Sequence, residues 1–357
     1  MSRTGKSLMP RLFGAAFLIL LSAGVAAGAP FSADAINDAQ FSAHTEKRLN
    51  AVILKAEVLL ARAGYSPGVI DGRDGENFHK ALRAYQAQQS LEAHGKLDEA
   101  TWNKLTSAAT APVVVDYKIR EADLKGPFVK RIPKDFEKMA RLERLAYRSP
   151  RELLAEKFHM DEALLVALNK GKALNRLDTA ILVANVGPDD QNNATRRASD
   201  PNTGSKGREA ERKGANRNNK PDVKVEVDKA GRAVRVFAGD GSLLAYYPAS
   251  IGSSEKPAPS GSFAVRAVTR DPTYRYDPKY AFKGQKAKQP VEVAPGPNNP
   301  VGSVWIALSV DSYGIHGTPE PDKVGKTYSH GCIRLTNWDA LALANLVKKG
   351  TPVEFKE

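Results

Sequence analysis

The sequence predicts a multidomain α+β protein whose C-terminal domain is β-rich, with a mixed or sandwich-like sheet and one late helix, preceded by a three-helix unit. Between Glu46 and Leu105 apolar residues recur at three- and four-residue steps, the period of an amphipathic helix. After Asp222 the period changes to two, as in half-buried strands. A length of 357 residues agrees with two or three compact units joined by linkers.

The three-helix unit is predicted at residues 45–108. A helix with Leu49 and Val52 on one face leads into a glycine-rich turn at residues 64–72, and two shorter amphipathic runs follow. This order resembles the peptidoglycan-binding type 1 domain, in which a leucine-bearing helix leads into Gly-x3-Gly-x2-Asp-Gly and then into an aromatic-Gln pair, here Tyr85-Gln86. The resemblance implies binding to the glycan of the bacterial cell wall. A generic three-helix spacer is the alternative.

Residues 116–186 are predicted to form a helix, a turn and a second helix, followed by a closing strand. Ser149 is a predicted N-cap with Pro150 at the first helical position, and Asp161 is predicted to begin the second helix. With Asn169 near the end of that helix, the order resembles a LysM module, a short βααβ binder of N-acetylglucosamine polymers. A connecting helical hairpin would produce the same pattern.

Residues 187–221 are predicted to be a disordered linker. They contain no Leu, Ile, Val or aromatic residue. Such a segment cannot bury enough apolar surface to offset the entropy that ordering would cost. We therefore expect the linker to separate the N-terminal units from the C-terminal domain.

The C-terminal domain is predicted at residues 222–357. Valines at every second position from Val223 to Val227, and similar runs after them, predict hairpins of a half-buried sheet. Thr336 is predicted to cap the late helix. Lys348-Lys349 are predicted to lie in its last turn, before Gly350 as the C-terminal stop.

Residues 1–28 are predicted to be a signal peptide. The cationic residues Arg3, Lys6 and Arg11 precede an apolar run from Leu12 to Ala27 that ends in small residues. We therefore expect the mature protein in the periplasm or cell envelope, with membrane contact only through the signal peptide during export. A transmembrane anchor is the alternative, although the run is slightly short for a span of about 20 residues.

The chain is strongly basic, with 53 Lys and Arg against 40 Asp and Glu and a formal net charge of +13. This charge alone is compatible with nucleic acid, an anionic membrane or an acidic polymer. The predicted export favours a wall polymer, so we expect no nucleic-acid partner. No feature of the sequence indicates an oligomer.

Cys332 is the only cysteine, so the chain can form no internal disulfide. An unpaired thiol in an exported protein indicates reactivity, although free thiols are more often buried and inert. His316 and His330 are candidate proton acceptors, because a neighbouring imidazole makes a thiolate available at neutral pH. Gly331 allows the backbone to turn and present amides to an oxyanion. Arg334 supplies a permanent cation suited to a peptide carboxylate.

Two other kinds of site use the same residue types. Two His and one Cys could hold zinc, but the sequence offers no obvious fourth ligand and no Cys-x2-Cys or His-x3-His pair, so no metal site is predicted. Papain-like and NlpC/P60-like thiol hydrolases are disfavoured because no His follows Cys332. Here the candidate base precedes the nucleophile.

Residues 315–318 (Ile-His-Gly-Thr) and 329–335 (Ser-His-Gly-Cys-Ile-Arg-Leu) form the signature of the YkuD-type L,D-transpeptidase catalytic domain, which the sequence resembles from Asp222 onward. Residues 250–263 resemble the family's Gly followed by Thr-Pro-x-Gly-x-Phe, with Ala258 at the threonine position. Residues 295–302 resemble its loop before the strand that leads to the histidine.

The resemblance implies a set of site residues. His316 is implied to be oriented by a carbonyl near Gly317. The family's roles, carried onto this sequence, are: nucleophile, Cys332; general base, His316; oxyanion and pocket residues, Gly317, Ser329, His330 and Gly331; substrate-binding residues, Tyr313 and Arg334. No metal or organic cofactor is implied.

The implied reaction is attack of the thiol on the L-centred third residue of a peptidoglycan tetrapeptide stem, with loss of the terminal D-Ala. The thioester then passes to an amine of a neighbouring stem, giving a three-to-three cross-link. Peptidoglycan stem peptides and glycan are thus the implied partners. Transfer to water (L,D-carboxypeptidase), transfer to a protein lysine and a non-catalytic wall-binding adaptor are the alternatives. Residues 271–290, with three tyrosines, are either a lid over the donor peptide or a solvated insertion.

Overall fold

The structure is a computed structural model that describes residue 1 and residues 31–42, 49–187, 222–253, 256–280, 287–329 and 331–357. The predicted signal peptide at residues 1–28 lies, apart from its first residue, outside this set. The predicted linker does so as well from residue 188 onward. In the part of the chain that is described, no helix is long and apolar enough to cross a membrane.

The three-helix unit is formed by α2 (Ala51–Arg62), α3 (Glu76–Gln88) and α4 (Glu99–Ser107). A short helix, α1 (Ala33–Asn37), precedes them and packs against α2. α2 begins after Asn50, whose side chain accepts hydrogen bonds from the Val52 and Ile53 amides. The apolar face of α2 is buried against α3 and α4, as the helical spacing predicts.

Residues 114–184 form a second unit, here called the helical module. Strands β1 (Val114–Lys118) and β2 (Ala180–Ala184) pair antiparallel, and between them lie α5 (Glu121–Leu124), α6 (Phe136–Met139), α7 (Pro150–Lys157) and α8 (Glu162–Leu168). Ser149 and Asp161 cap α7 and α8 through their side chains, as predicted. The Asn169 side chain joins the end of α8 to the Leu182 backbone of β2.

The three-helix unit and the helical module share one hydrophobic core. Fully buried side chains from both meet in it, including Leu54 and Leu82 from the first unit and Leu165 and Ile181 from the second. Because apolar burial is the main source of stability, the two units support each other rather than standing as separate bodies.

The C-terminal domain is built on a nine-stranded mixed sheet. Its strands are β3 (Val223–Asp228), β4 (Ala233–Ala238), β5 (Leu243–Pro248), β6 (Ser250–Ile251), β7 (Gly261–Arg270), β10 (Val304–Leu308), β11 (Gly314–His316), β12 (Ile333–Arg334) and β13 (Pro352–Lys356). They lie in the order β5-β4-β3-β13-β7-β10-β11-β12-β6. Among the described strand pairs of this sheet, β3–β13 and β11–β12 are parallel and the others are antiparallel. The late helix α9 (Asn337–Leu346) packs against β10 and β11.

The predicted end of the late helix is wrong. Thr336 caps α9 as predicted, but the helix ends at Leu346 and Lys348-Lys349 lie beyond it. Val347 leaves the helix with an extended backbone and is fully buried, so packing of its side chain into the core ends α9 early. Gly350 has φ +90° but belongs to the following turn rather than to the helix end.

A two-stranded hairpin, β8 (Tyr274–Tyr276) and β9 (Val291–Val293), extends from the sheet between β7 and β10. Its aromatic rings pack against the helical module: the Phe136 ring centroid lies 5.5 Å from that of Tyr274 and 4.8 Å from that of Tyr276. Tyr276 is buried. These two tyrosines therefore pack against the helical module, so they are not part of a solvated insertion. Residues 281–286 of the predicted lid segment lie outside the described residues.

A first interface joins the three-helix unit to the C-terminal domain. Ser66 and Tyr246 are hydrogen bonded through their backbones at 2.9 Å, and the Ser66 hydroxyl lies 3.0 Å from a carboxylate oxygen of Asp339. Asn77 Nδ2 donates to the Val324 carbonyl at 2.9 Å. A Cβ on Gly325 would collide with Asn77 Oδ1, so this position requires glycine. The interface thus reaches the loop that precedes Cys332.

Candidate active site

Two of the candidate site residues lie on one face of the parallel pair β11–β12. His316 is opposite Arg334 in the register, and Ile315 is opposite Ile333. Both isoleucines are fully buried in the core. Because side chains alternate along a strand, His316 and Arg334 point away from that core. Cys332 directly precedes β12.

His316 is buried and held from two sides. Its Nδ1 lies 2.6 Å from the Gly317 carbonyl, and since a carbonyl only accepts, the imidazole proton must be on Nδ1. Its ring stacks on Trp305, its direct partner on β10, with centroids 5.5 Å apart. This arrangement leaves Nε2 as a proton acceptor. The expected carbonyl near Gly317 is therefore the carbonyl of Gly317 itself.

The surroundings keep the imidazole neutral. Burial, and after it the positive charge of Arg334, lowers the pKa of His316 to about 3, against the smaller opposing effect of the Gly317 carbonyl. A neutral imidazole is the form that can accept a proton. At neutral pH, His316 is thus in the form that a general base requires.

The Cys332 thiol is also neutral at rest. Burial raises its pKa, and the Gly314 amide and the Arg334 charge act in the opposite direction with smaller effect. Sγ lies 3.7 Å from the Ser312 carbonyl, the acceptor for the thiol proton in this conformation. The site thus contains a neutral thiol and a neutral candidate base, so the proton must be transferred as the sulfur attacks.

Gly331 and Tyr313 shape the wall of the site around the thiol. Gly331 has φ +107°, and a Cβ there would lie 3.1 Å from Tyr313 Cε1. The Tyr313 hydroxyl lies 3.4 Å from the Pro257 carbonyl, which connects the wall to residues 250–263. A side chain at Gly331 would therefore meet both an unfavourable backbone angle and the tyrosine ring.

Ser329 holds the loop before the nucleophile. It is buried, its amide donates to the Gly252 carbonyl at 3.1 Å, and its hydroxyl donates to the Cys332 carbonyl. Arg334 Nε has no hydrogen-bond partner within the described residues. A cation with an unused donor beside the thiol suits a substrate anion.

His330 lies outside the described residues. The structure therefore gives no distances for the alternative zinc site, which would need this histidine as a ligand. Among the residues that are described, no group of three or more His, Cys, Asp or Glu side chains is arranged to hold a metal ion.

Two residues of the site were not among the candidates predicted from the sequence. Trp305 contacts His316 only through the register of β10 with β11, which the sequence alone does not fix. Asn337 packs against Gly302 and Gly317, where a Cβ at either glycine would collide with its Oδ1. In the sequence, the only signal for the packing of Asn337 was the glycines at 302 and 317, because a glycine can mark a position where another group approaches the backbone closely.

The chain is similar to known families over two segments. Residues 222–355 match the L,D-transpeptidase catalytic domain family, YkuD. Residues 51–105 match the family described as "Putative peptidoglycan binding domain". The two segments coincide with the C-terminal sheet and with the three-helix unit.

Individual proteins are similar over the C-terminal domain. The "Putative L,D-transpeptidase YkuD" of Bacillus licheniformis is 33% identical over 132 residues, which cover 37% of this chain and 64% of that protein. The "Putative L,D-transpeptidase YqjB" of Bacillus subtilis is 31% identical over 137 residues, 37% of this chain and 70% of that protein. The crystal structure of L,D-transpeptidase 3 from Mycobacterium tuberculosis is 22% identical, with a TM-score of 0.32 over 38% of this chain and 62% of that one. The chain thus spans slightly under two thirds of the B. licheniformis protein.

Proposed function

We propose, on the premise that the chain belongs to the L,D-transpeptidase family with a YkuD catalytic domain, that it cross-links peptidoglycan through a thioester on Cys332. The donor is a tetrapeptide stem that loses its terminal D-Ala. The acceptor is an amine of a neighbouring stem, and the product is a three-to-three cross-link.

The reaction proceeds by two acyl transfers. His316 Nε2 takes the thiol proton as Sγ attacks the carbonyl of the third stem residue, and backbone amides at Gly331 and Cys332 stabilise the oxyanion. Collapse breaks the peptide bond, and the imidazolium returns the proton to the leaving D-Ala amine. The acceptor amine then attacks the thioester while His316 removes its proton, which releases the product and restores the thiol.

The observation that carries the proposal is the strand pair β11–β12 and the residue that precedes β12. The pair holds a neutral imidazole with its acceptor nitrogen available and a cation with an unused donor, and the thiol of Cys332 directly precedes β12. A nucleophile, a base and a cation for a substrate carboxylate are the three functions that the proposed acyl transfer requires.

The N-terminal half supports peptidoglycan as the substrate polymer. Residues 51–105 match a peptidoglycan-binding family, and this unit shares a core with the helical module and contacts the catalytic domain. We further propose that the protein is exported by its N-terminal segment and acts in the periplasm or cell envelope.

The test is incubation of the wild-type protein and a Cys332→Ala variant with disaccharide-tetrapeptide, with products analysed by mass spectrometry. We expect dimers that have lost D-Ala from wild type alone, and a covalent carbapenem adduct that is absent from the variant. Monomeric tripeptide without dimers would identify a carboxypeptidase instead. Activity in both proteins would exclude the thiol mechanism, and near-normal turnover by His316→Ala would exclude the proposed base.

A further inference from the structure

A second interface joins the helical module to the C-terminal domain behind His316. Its first part is formed by the backbone of Leu145, whose amide donates to the Pro295 carbonyl and whose carbonyl accepts from the Asn298 amide, both at 2.9 Å. Gly296 has φ +139°, and a Cβ there would collide with the Leu145 backbone. The loop at residues 295–302 is therefore shaped to receive the helical module.

Buried amide and carboxylate groups complete this contact. Asn298 Nδ2 donates to the Ala146 carbonyl at 2.9 Å and lies 3.2 Å from Glu152 Oε1. Both Asn298 and Glu152 are buried. Buried polar groups are stable only when paired, and both side chains have partners: Asn298 donates across the interface, and Glu152 also pairs with Arg148 at 3.0 Å.

Asn337 is the point where the interface meets the catalytic machinery. Its Nδ2 donates to Glu156 Oε1 of α7 at 3.0 Å and to the Pro297 carbonyl at 3.1 Å, while its Oδ1 accepts from the Ser303 amide at 3.0 Å. The same Glu156 oxygen accepts from the Tyr147 hydroxyl at 3.0 Å. Asn337 is only 1% exposed, so these partners replace water completely.

Glu156 acts together with the Pro297 carbonyl and the Ser303 amide to set which way the Asn337 amide faces. A carboxylate only accepts hydrogen bonds, so Nδ2 must point towards Glu156 and Oδ1 towards the opposite side. That side is occupied by Gly302 and Gly317, each of which would collide with Oδ1 if it carried a Cβ. The Gly317 carbonyl in turn accepts the Nδ1 proton of His316 at 2.6 Å.

We propose that Glu156 is a positioning residue for catalysis and that the helical module is a working part of the catalytic unit. Glu156 orients Asn337, Asn337 fixes the backbone at Gly317, and that backbone fixes the His316 ring. The inference rests on the proposed function, because it assigns His316 the role of base. It extends the catalytic unit beyond residues 222–355, the segment that matches the catalytic family.

The test compares Glu156→Ala, Glu156→Gln and a control, Glu162→Ala, in the full chain. Glu162 is a matched control because it is a carboxylate of the same module that pairs with Arg148 and Arg151 within that module. Soluble disaccharide-tetrapeptide is the substrate, so that attachment to intact wall plays no part. Thermal unfolding of each variant reports on folding separately.

For Glu156→Ala we expect kcat to fall about tenfold with KM within about twofold, because small misplacements of a catalytic group cost rate rather than binding. Glu156→Gln keeps an acceptor oxygen and should recover most of the rate. Glu162→Ala should behave as wild type. Wild-type kcat in folded Glu156→Ala would overturn the proposal, as would equal losses in Glu156→Ala and Glu162→Ala.

Alkylation by iodoacetamide separates this inference from the proposed function. Cys332 is the only cysteine, so alkylation reports on this site without any natural substrate. If wild type releases no D-Ala, the proposed function fails, but the pH profile of alkylation still compares His316 between wild type and Glu156→Ala. A shifted profile in Glu156→Ala supports the positioning role, and identical profiles contradict it.

Discussion

His316 at the end of β11 and Cys332 just before β12 are held in opposite ways. His316 is only 5% exposed and is fixed by the Gly317 carbonyl and a stacked indole. Cys332 is partly exposed and follows Gly331, whose φ is +107°. The proposed base is thus held by several neighbours, whereas the position of the proposed nucleophile depends on the conformation of a loop.

The two residues are also supported by different parts of the N-terminal half. The helical module forms a hydrogen bond near His316 through Glu156. The three-helix unit forms a hydrogen bond to the loop before Cys332 through Asn77. The N-terminal units therefore contact the C-terminal domain close to each of the two proposed catalytic residues. Separate perturbation of each support can test this.

The largest effect is expected at the loop. Gly331→Ala should lower the rate of Cys332 acylation by a carbapenem about a hundredfold, since it displaces the amides that stabilise the oxyanion. Gly171→Ala is the control, because Gly171 also has a positive φ, +81°, with nothing within 4 Å of a Cβ. Similar acylation by both variants would mean that the loop tolerates a side chain and that the contrast with His316 is wrong.

A smaller effect is expected on the side of the base. Trp305→Leu should lower kcat about tenfold by removing the ring on which His316 stacks, and Trp305→Phe should lose less because a flat ring remains. Steady-state kinetics on disaccharide-tetrapeptide would measure both. If Leu and Phe were equivalent, the Gly317 carbonyl alone would be sufficient to hold the imidazole.

Loss of the first interface should have a modest effect that is confined to the nucleophile. Asn77→Ala removes the hydrogen bond to the buried Val324 carbonyl, so we expect a loss of about 1 kcal/mol in the free energy of unfolding. Cys332 alkylation should change a few-fold, while its dependence on pH stays the same. Asn103→Ala, at an exposed position of α4, is the control. A shifted pH dependence would show that the two supports are not separate.

The smallest effect on activity is expected when the pH is lowered. Since the pKa of His316 is about 3, the imidazole stays neutral as pH falls, and the base is lost only when pH approaches that value. The kcat/KM for disaccharide-tetrapeptide should therefore keep about nine-tenths of its value between pH 7 and pH 5, whereas an ordinary histidine would lose half near its reference pKa of about 6.5. Such a loss in wild type would mean that His316 is far less buried in solution.

Local sequence rules predicted most elements of this fold. The alternation from Val223 to Val227 produced β3, and Ser149, Asp161 and Thr336 cap the helices as predicted, because capping depends on a few adjacent residues. The end of α9 could not be predicted this way. Whether Val347 enters the core depends on the sheet that it packs against, which lies far away in sequence.

The residues of the site also fall into those that the sequence predicted and those that it missed. The sequence singled out His316, Cys332 and Arg334 because their chemistry is explicit in the residue types. Trp305 and Glu156 were not found, since one acts through strand register and the other across an interface between residues 181 positions apart. Residue types reveal reacting groups, whereas the groups that hold them are revealed only by tertiary contacts.

The position of β13 has a consequence for how the domain is made. Pro352–Lys356 lie between β3 and β7, so within the described sheet the strands β3–β5 pair with the strands near the site only through this strand. Strands of distant origin pair late, because a long loop must close first. Since β13 follows Cys332 in the sequence, the two parts of the sheet can be joined only after the whole segment that carries the thiol is present.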